Sequence, residues 1–409
     1  MNTDNSSKTI GRRSFVKTAM AGAAGLTFVR PESVYGAPAN DALQLGVIGC
    51  GGRGHNDSRE FVQTTNTRVI ALADPFQDRL ESLQNDLNRR LEAVNRPPVE
   101  SSMLFQGMDA YRKLLDAPVD VVLITSPPYY HPEHLMATVE AGKHVYCEKP
   151  VGVDVPGCLK VIEAGKKAEG KCSVMVGFQI RESEGFKGVV NRVHDGAIGD
   201  IVFGQVYYHS GRLSPHTREG ASEDENRLRN WVFDKVLSGD IIVEQNIHVI
   251  DVANWYLQEY PVKAYGTGGR KARTDVGDTW DHYVVTYYYP NDIRVDFSSS
   301  QFLVGWGDCR ERFFGTKGTA DTPYDGHPRI TGENPWQAET ASPLDGTVKA
   351  KLVKLEESIR SGKFLNECEQ GAMSTLTSIL GRMAAYDEKE VTWDEMMKKG
   401  EKLEANLKL

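Results

Sequence analysis

Paired cysteines are missing from this sequence. Its six cysteines, at positions 50, 147, 158, 172, 309 and 368, include no CxxC pair and no compact cluster. That excludes a zinc ribbon or a small disulfide-stapled scaffold, and predicts mostly buried, free thiols and no metal site. An excess of positive charge is missing too. Lys and Arg number 48 against 56 Asp and Glu, a net charge of -8, so there is no broad electrostatic reason to hold nucleic acid or an anionic membrane. No apolar run reaches the roughly 20 residues of a spanning helix, so no stable membrane anchor is expected. Internal repeats and low-complexity tracts are lacking as well. What is present is a chain of 409 residues, 40% of them hydrophobic. At about 100–200 residues per domain it suggests two domains acting on a small molecule.

The first forty residues differ from the rest. Arg12-Arg13-Ser14-Phe15-Val16-Lys17 precedes the small-residue run TAMAGAAGLTFV and an Ala-rich exit at Gly36-Ala-Pro-Ala39. This matches a twin-arginine export signal, spanning residues 1–39, whose machinery carries a protein across folded and with its cofactor inside. The expectation is a periplasmic or otherwise exported protein whose mature part starts near Asn40.

From Leu43 the text LQLGVIGCGGRGHND reads as strand, tight turn and helix. Gly49, Gly51 and Gly54 form G-x-G-x-x-G: the first for the turn, the second for close backbone approach to a pyrophosphate, the third for packing of helix on strand. Gly52 and Arg53 lie in the same turn. Twenty residues beyond Gly54, Asp74 ends a second strand, placed to accept both hydroxyls of a ribose. A carboxylate there repels a 2'-phosphate, which favours NAD over NADP. Further on, VDVVLITSPPYYHPEH and KHVYCEKP continue the alternation of strand and helix. The fold class is therefore α/β, with an N-terminal Rossmann doubly wound parallel sheet over residues 40–150. Ser126, Pro127, His131, Glu148 and Lys149 fall at strand carboxyl ends, where such sheets bind ligands.

With Glu148-Lys149-Pro150 at this distance after the glycines, the chain resembles the Gfo/Idh/MocA family (glucose-fructose oxidoreductase, inositol dehydrogenase and rhizopine catabolism proteins). SPPYYH at 126–131 is similar to its T-P-x-x-x-H segment, and SGDIIVEQNIHVIDVANW to its second signature. The resemblance implies that Lys149 works beside the nicotinamide, with Ser126, Pro127, His131 and Glu148 on the cofactor side. It also implies that His248 is catalytic. Where the family commonly has Asp and Gly before that histidine, this chain has Glu244 and Asn246; the second offers a hydrogen bond to substrate. It implies a homodimer or homotetramer built on the second domain's sheet, and late helices, at 367–409, that return to the Rossmann domain.

Read from the residues alone, Ser238 to Leu257 is one helix, on which Glu244, His248 and Asp251 share a face. Two acids and a histidine amid Ile and Val face solvent, a partner or a site, because burying them unpaired is costly. The choice lies between a catalytic group, with His248 as base for an alcohol proton and Lys149 supporting the oxygen, and a surface salt bridge of Glu244 with His248. Substrate contacts are sought at Gln179, Arg181, His209, Arg212 and Trp231, against structural roles for each.

Residues 151–366 alternate as IVFGQVYYHS, DHYVVTYYYP and IRVDFSSSQFLV, which predicts an α+β domain with an open, mostly antiparallel sheet. The stretches 213–229 and 321–342 are expected to be loops. The leading function is hydride transfer between a sugar or polyol secondary alcohol and a tightly held NAD(P). The alternatives are an NAD-dependent glycoside hydrolase or lyase working by transient sugar oxidation, and an inactive sugar-binding relative.

Overall fold

The computed structural model describes residues 41–93 and 95–409, so the export segment expected over 1–39 lies outside them. Six strands form the first sheet: β1 (Leu43–Ile48), β2 (Thr67–Asp74), β3 (Leu104–Gln106), β4 (Val121–Ile124), β5 (His144–Cys147) and β6 (Val174–Val176). They run parallel in the order β3-β2-β1-β4-β5-β6. Runs such as VVLI in β4 are buried throughout, as a sheet covered on both faces requires. The covering helices are α1 (Gly52–Thr64), α2 (Gln77–Ala93), α3 (Ala110–Asp116), α4 (His131–Glu140) and α5 (Val155–Ala168). In α2, Leu80, Leu83, Leu87 and Leu91 recur at helical spacing and are fully buried among Leu45, Val47 and Leu72. Each such leucine stabilises the layer by about 1.5–3 kcal/mol. Strand order reverses between β1 and β4, which opens a crevice at their carboxyl ends.

The boundary expected at Pro150 falls inside this sheet, because α5 and β6 complete it. After α6 (Glu184–His194) comes the second sheet: β7 (Ile201–Gly211), β8 (Lys263–Gly269), β9 (His282–Tyr288), β10 (Arg294–Leu303), β11 (Asp308–Gly315), β12 (Gly318–Pro323), β13 (Arg329–Gly332), β14 (Trp336–Gln337) and β15 (Val391–Thr392). Its nine strands are mostly antiparallel, β7 and β10 being a parallel pair. Two stretches expected to be loops carry regular structure. Residues 213–229 end in α7 (Glu223–Arg229), and 321–342 contain the end of β12 with β13 and β14. Charge misled there: Asp321 sits within a strand because Arg310, Arg312 and Arg329 surround it.

The helix expected over 238–257 is broken. It appears as α8 (Lys235–Ser238), α9 (Ile241–Glu244) and α10 (Ile247–Leu257), with Gln245 and Asn246 in the last break. Apolar residues on every side of it, Ile241, Ile242, Val243, Ile247, Val249 and Ile250, are buried, so no single polar face exists. Of the late elements, α11 (Thr347–Ser361) packs on α1, and α12 (Cys368–Asp387) packs on α5 and on β8 and β9. That last helix joins the two sheets. The final helix, α13 (Trp393–Lys399), ends ten residues before the end of the 367–409 stretch expected to hold late helices. All six cysteines are free thiols, five of them buried. No helix among the described residues is long and apolar enough to cross a membrane.

Candidate active site

The turn after β1 is shaped for a close approach. Gly49 has φ +94°, and a Cβ there would lie 2.5 Å from the Ser126 nitrogen; one on Gly54 would lie 2.1 Å from the Gly49 oxygen. Side chains are excluded at both, so α1 packs tightly on the strand. Over Gly52, by contrast, no atom comes within 4 Å of the Cβ position, and over Gly51 the nearest is the tip of Arg79 at 3.8 Å. Open space above the N-terminus of α1 is what a dinucleotide pyrophosphate needs. Asp74 is 3% exposed and accepts from the backbone of Cys50 and Phe76, each at 2.8 Å. Burial raises its pKa, against the pull of Arg79 and those two N–H groups. The residues present fit an NAD whose pyrophosphate would lie over Gly51 and Gly52 and whose ribose Asp74 would hold.

The cleft over these glycines is lined by Asp74, Phe76, Ser126, Pro127, Leu228 and Trp231 among others. The last two come from the second domain. They are held over the cleft by Arg229, whose guanidinium makes two bonds to Asp78, at 2.8 and 3.1 Å, and lies 4.0 Å above the Phe76 ring.

A second cavity, of about 320 Å³, opens beside the first. Arg53, Ser126 and Trp231 line both, so a ligand in one reaches the edge of the other. Its polar groups include Lys149, Glu244, His248, Gln179 and Gln245. Lys149 Nζ donates to the Glu244 carbonyl oxygen at 2.6 Å and to its Oε1 at 3.1 Å. His248 is 9% exposed, and its buried Nδ1 has no protein partner. Burial, then the charges of Lys149 and Arg53, push its pKa well below the usual value. The ring is therefore a neutral imidazole, able to accept a proton.

Arg53 bridges two carboxylates, Glu148 at 2.8 Å and Asp57 at 3.0 Å. Burial, then the charge of Glu148, raise the Asp57 pKa against the pull of Arg53. His131 lies against the carbonyl oxygens of Ser126 and Pro150, 2.6 Å each, and clips the two turns together. Its ring is committed to backbone; burial lowers its pKa while those carbonyls raise it.

Several expected residues lie elsewhere. Arg181 is bound to Asp251 at 2.8 and 2.9 Å and lies 5.3 Å over Trp255. Asp251 also takes Ser374 and Gln370, so it is committed to α12 and absent from the cavity wall; it stays on one helix with His248, and the break separates Glu244 from both. Arg212 pairs at the surface with Asp275, 2.7 Å away. His209 bonds Ser298 and Ser300 on the outer face of the second sheet. Alternation along β7 gives the cavity Tyr208 instead. Asn246 is fully buried and absent from the cavity wall. Tyr208, Gln245 and Leu213 are cavity residues that sequence reasoning missed; for Tyr208 the period-2 pattern of β7 was the available signal. Among the described residues no group of three or more His, Cys, Asp or Glu is arranged to hold a metal ion.

Comparison with known proteins places this geometry. Residues 43–178 match the model described as "Oxidoreductase family, NAD-binding Rossmann fold", and residues 186–321 match the "GFO/IDH/MocA C-terminal domain". The chain is 26% identical over 349 residues to inositol 2-dehydrogenase 3 of Saccharopolyspora erythraea, covering 84% of this chain and 88% of that one. Among solved structures it is similar to the aldose-aldose oxidoreductase of Caulobacter crescentus in complex with glycerol, with a TM-score of 0.69 at 21% identity over 86% of this chain and 99% of that one. It is also similar to a levoglucosan dehydrogenase in complex with NADH and levoglucosan, with a TM-score of 0.67 at 18% identity over the same shares of the chains. At those identities the likeness is one of fold.

Proposed function

This chain belongs to the Gfo/Idh/MocA family of NAD-binding oxidoreductases, and from that premise we propose that it oxidises a secondary alcohol of a sugar or polyol. The observation that carries the reading is one cavity in which an anchored ammonium and a neutral, unpartnered imidazole open beside the glycine cradle. NAD, when bound, supplies the hydride acceptor. The backbone N–H groups at the start of α1 hold its pyrophosphate, and Asp74 accepts from its ribose. His248 takes the hydroxyl proton as the carbon–hydrogen bond breaks. Lys149 donates to the alcohol oxygen, whose charge grows as the carbonyl forms. Glu244 fixes the ammonium through its carboxylate and its main chain. Trp231 offers an aromatic face to the C–H side of a sugar.

The relatives' names support the substrate class: one is an inositol dehydrogenase, two others are an aldose oxidoreductase and a levoglucosan dehydrogenase. The test is nicotinamide fluorescence of the purified protein, with and without added NAD, on challenge with myo-inositol, aldoses, levoglucosan and aryl glycosides. Growth of NADH with a free sugar or polyol supports the reading. Glycoside cleavage with no net NADH replaces it by transient oxidation followed by elimination. Sugar binding with neither outcome makes the chain a binding protein.

Two further parts of the reading concern place and assembly. The Arg12-Arg13 segment supports export by the twin-arginine route, and the second-domain roof over the cleft supports a cofactor carried along in the folded protein. Phe203, Tyr265 and Val284 on the outer face of the second sheet are 37, 49 and 55% exposed, which supports a homo-oligomer formed through that face. Fractionation of cells and light scattering of the purified protein test the two.

A further inference from the structure

Three side chains form a file from the interior of the second domain to the substrate cavity. Arg273 is 3% exposed, with its guanidinium 4.1 Å over the Phe233 ring and NH1 3.1 Å from Gln301 Oε1. Gln301, near the end of β10, is 1% exposed and directs its Nε2 at Gln245 Oε1, 2.9 Å away. Gln245 stands in the break between α9 and α10 and lines the cavity with Lys149, Glu244 and His248.

The chemistry of these groups gives the file a direction. A guanidinium has five donors and no acceptor, so the Gln301 atom that faces Arg273 is its oxygen. The Gln301 nitrogen then faces Gln245, which must meet it with oxygen. That leaves the Gln245 NH2 on the cavity side. A glutamine amide ordinarily turns to suit its surroundings; here a buried cation two residues away has fixed it as a donor.

We propose that Gln245 is a specificity-determining residue that donates from Nε2 to an oxygen of the substrate, and that Arg273 and Gln301 are positioning residues which hold it in that sense. The proposal deepens the alcohol-oxidation reading and rests on it. In the same cavity the Gln179 Oε1 is buried with no protein partner, an acceptor to complement the Gln245 donor. A vicinal polyhydroxyl compound satisfies both, one hydroxyl giving a lone pair to Gln245 and another giving its proton to Gln179. A mono-alcohol cannot.

Two substitutions at different depths reverse the same polarity. Gln245→Glu still accepts from Gln301 but shows a carboxylate oxygen to the cavity. Gln301→Glu keeps its contact with Arg273, now as an ion pair, but offers only oxygen to Gln245, whose NH2 must turn inward. Both variants, loaded with NAD, are assayed with myo-inositol and D-glucose, with NAD affinity and thermal midpoint measured alongside. Both are expected to raise KM for the preferred polyol about tenfold or more, as when a site loses a hydrogen bond it was built to make. NAD affinity in both variants, and turnover at saturation in Gln301→Glu, which does not line the cavity, stay within about threefold of the parent on the same grounds. Wild-type KM in Gln245→Glu overturns the proposal, and a raised KM there with wild-type KM in Gln301→Glu overturns the positioning role. If the parent reduces no NAD with these compounds or with the other aldoses and levoglucosan, the function reading fails. Calorimetric binding of the same polyols to the NAD-loaded proteins then decides this inference alone, equal affinities for parent and Gln245→Glu overturning it.

Discussion

Lys149 Nζ is tied to Glu244 twice, at 2.6 Å through the main-chain carbonyl and at 3.1 Å through the carboxylate. Half of this anchoring does not depend on which side chain stands at 244, so the longer Glu keeps the ammonium in place where the family commonly has Asp. Lys149→Ala is expected to lower kcat by about 10²–10⁴-fold and to leave NAD affinity unchanged by fluorescence titration. Glu244→Ala leaves the carbonyl contact and is expected to cost about tenfold, the effect of one charge-assisted hydrogen bond. Equal losses in the two variants would remove the distinction.

His248 supplies a pH signature. Its pKa is lowered by burial and by the positive neighbours Lys149 and Arg53, and the neutral ring is the form that accepts a proton. The acid limb of kcat/KM therefore lies below the ordinary histidine value of about 6.5, and activity persists through pH 6. A profile recorded with the preferred polyol checks this. A limb at or above 6.5 would take His248 out of the role of base.

Asp74 tests the nucleotide preference. With both oxygens already accepting backbone N–H groups, its charge faces the ribose position of the cleft. Asp74→Ser removes the repulsion of a 2'-phosphate and one strong acceptor, and is expected to narrow the ratio of NAD to NADP affinity by about tenfold or more. Titration with both nucleotides measures the ratio directly.

The roof over the cleft is held by the Asp78–Arg229 fork, with Arg229 only 8% exposed and stacked on Phe76. Asp78→Asn keeps the shape and removes the charge. NAD release, followed by displacement in a stopped-flow instrument, should quicken about tenfold, the scale of one charge-assisted pair. Unchanged release would mean that the roof does not control exit.

Acid should weaken the folded state through buried histidines. Burial lowers the pKa of His134 to about 3 and of His144 to about 4. The unfolded chain protonates them near 6.5 and the folded chain does not, so their contribution is complete above pH 6.5 and declines as pH falls towards the folded values. For His134, 6% exposed, the slope is about 1.4 kcal/mol per pH unit. Urea unfolding between pH 7 and 5 should show it, and His134→Gln should flatten the curve.

Much of the first domain was legible because its signals are local. The turn at Gly49, the tight packing at Gly54 and the acid at Asp74 each follow from a short stretch of backbone whose geometry only those residues satisfy. Strands such as VVLI reveal themselves by unbroken apolarity, and the leucines of α2 by their spacing. The second domain's failures share a cause. His209 and Tyr208 are neighbours in sequence and lie on opposite faces of one strand, so a choice between them needed the sheet's register. Asp251 keeps helical spacing from His248 on α10, but partners from distant parts of the chain, Arg181, Gln370 and Ser374, engage it, and no local pattern announces them.

The sequence alone determined the Rossmann half and the candidacy of Asp74, Lys149 and His248, since these depend on residue type within a few positions of the chain. Only the tertiary structure decided that Lys149, Glu244 and Gln245 share a cavity, that Leu228 and Trp231 roof the cofactor cleft, and that Arg273 orients an amide through Gln301. The hydrogen bonds behind these relations, Lys149 to Glu244, Arg229 to Asp78 and Arg273 to Gln301, join residues 28 to 151 positions apart and are set by how layers pack, which no local pattern encodes.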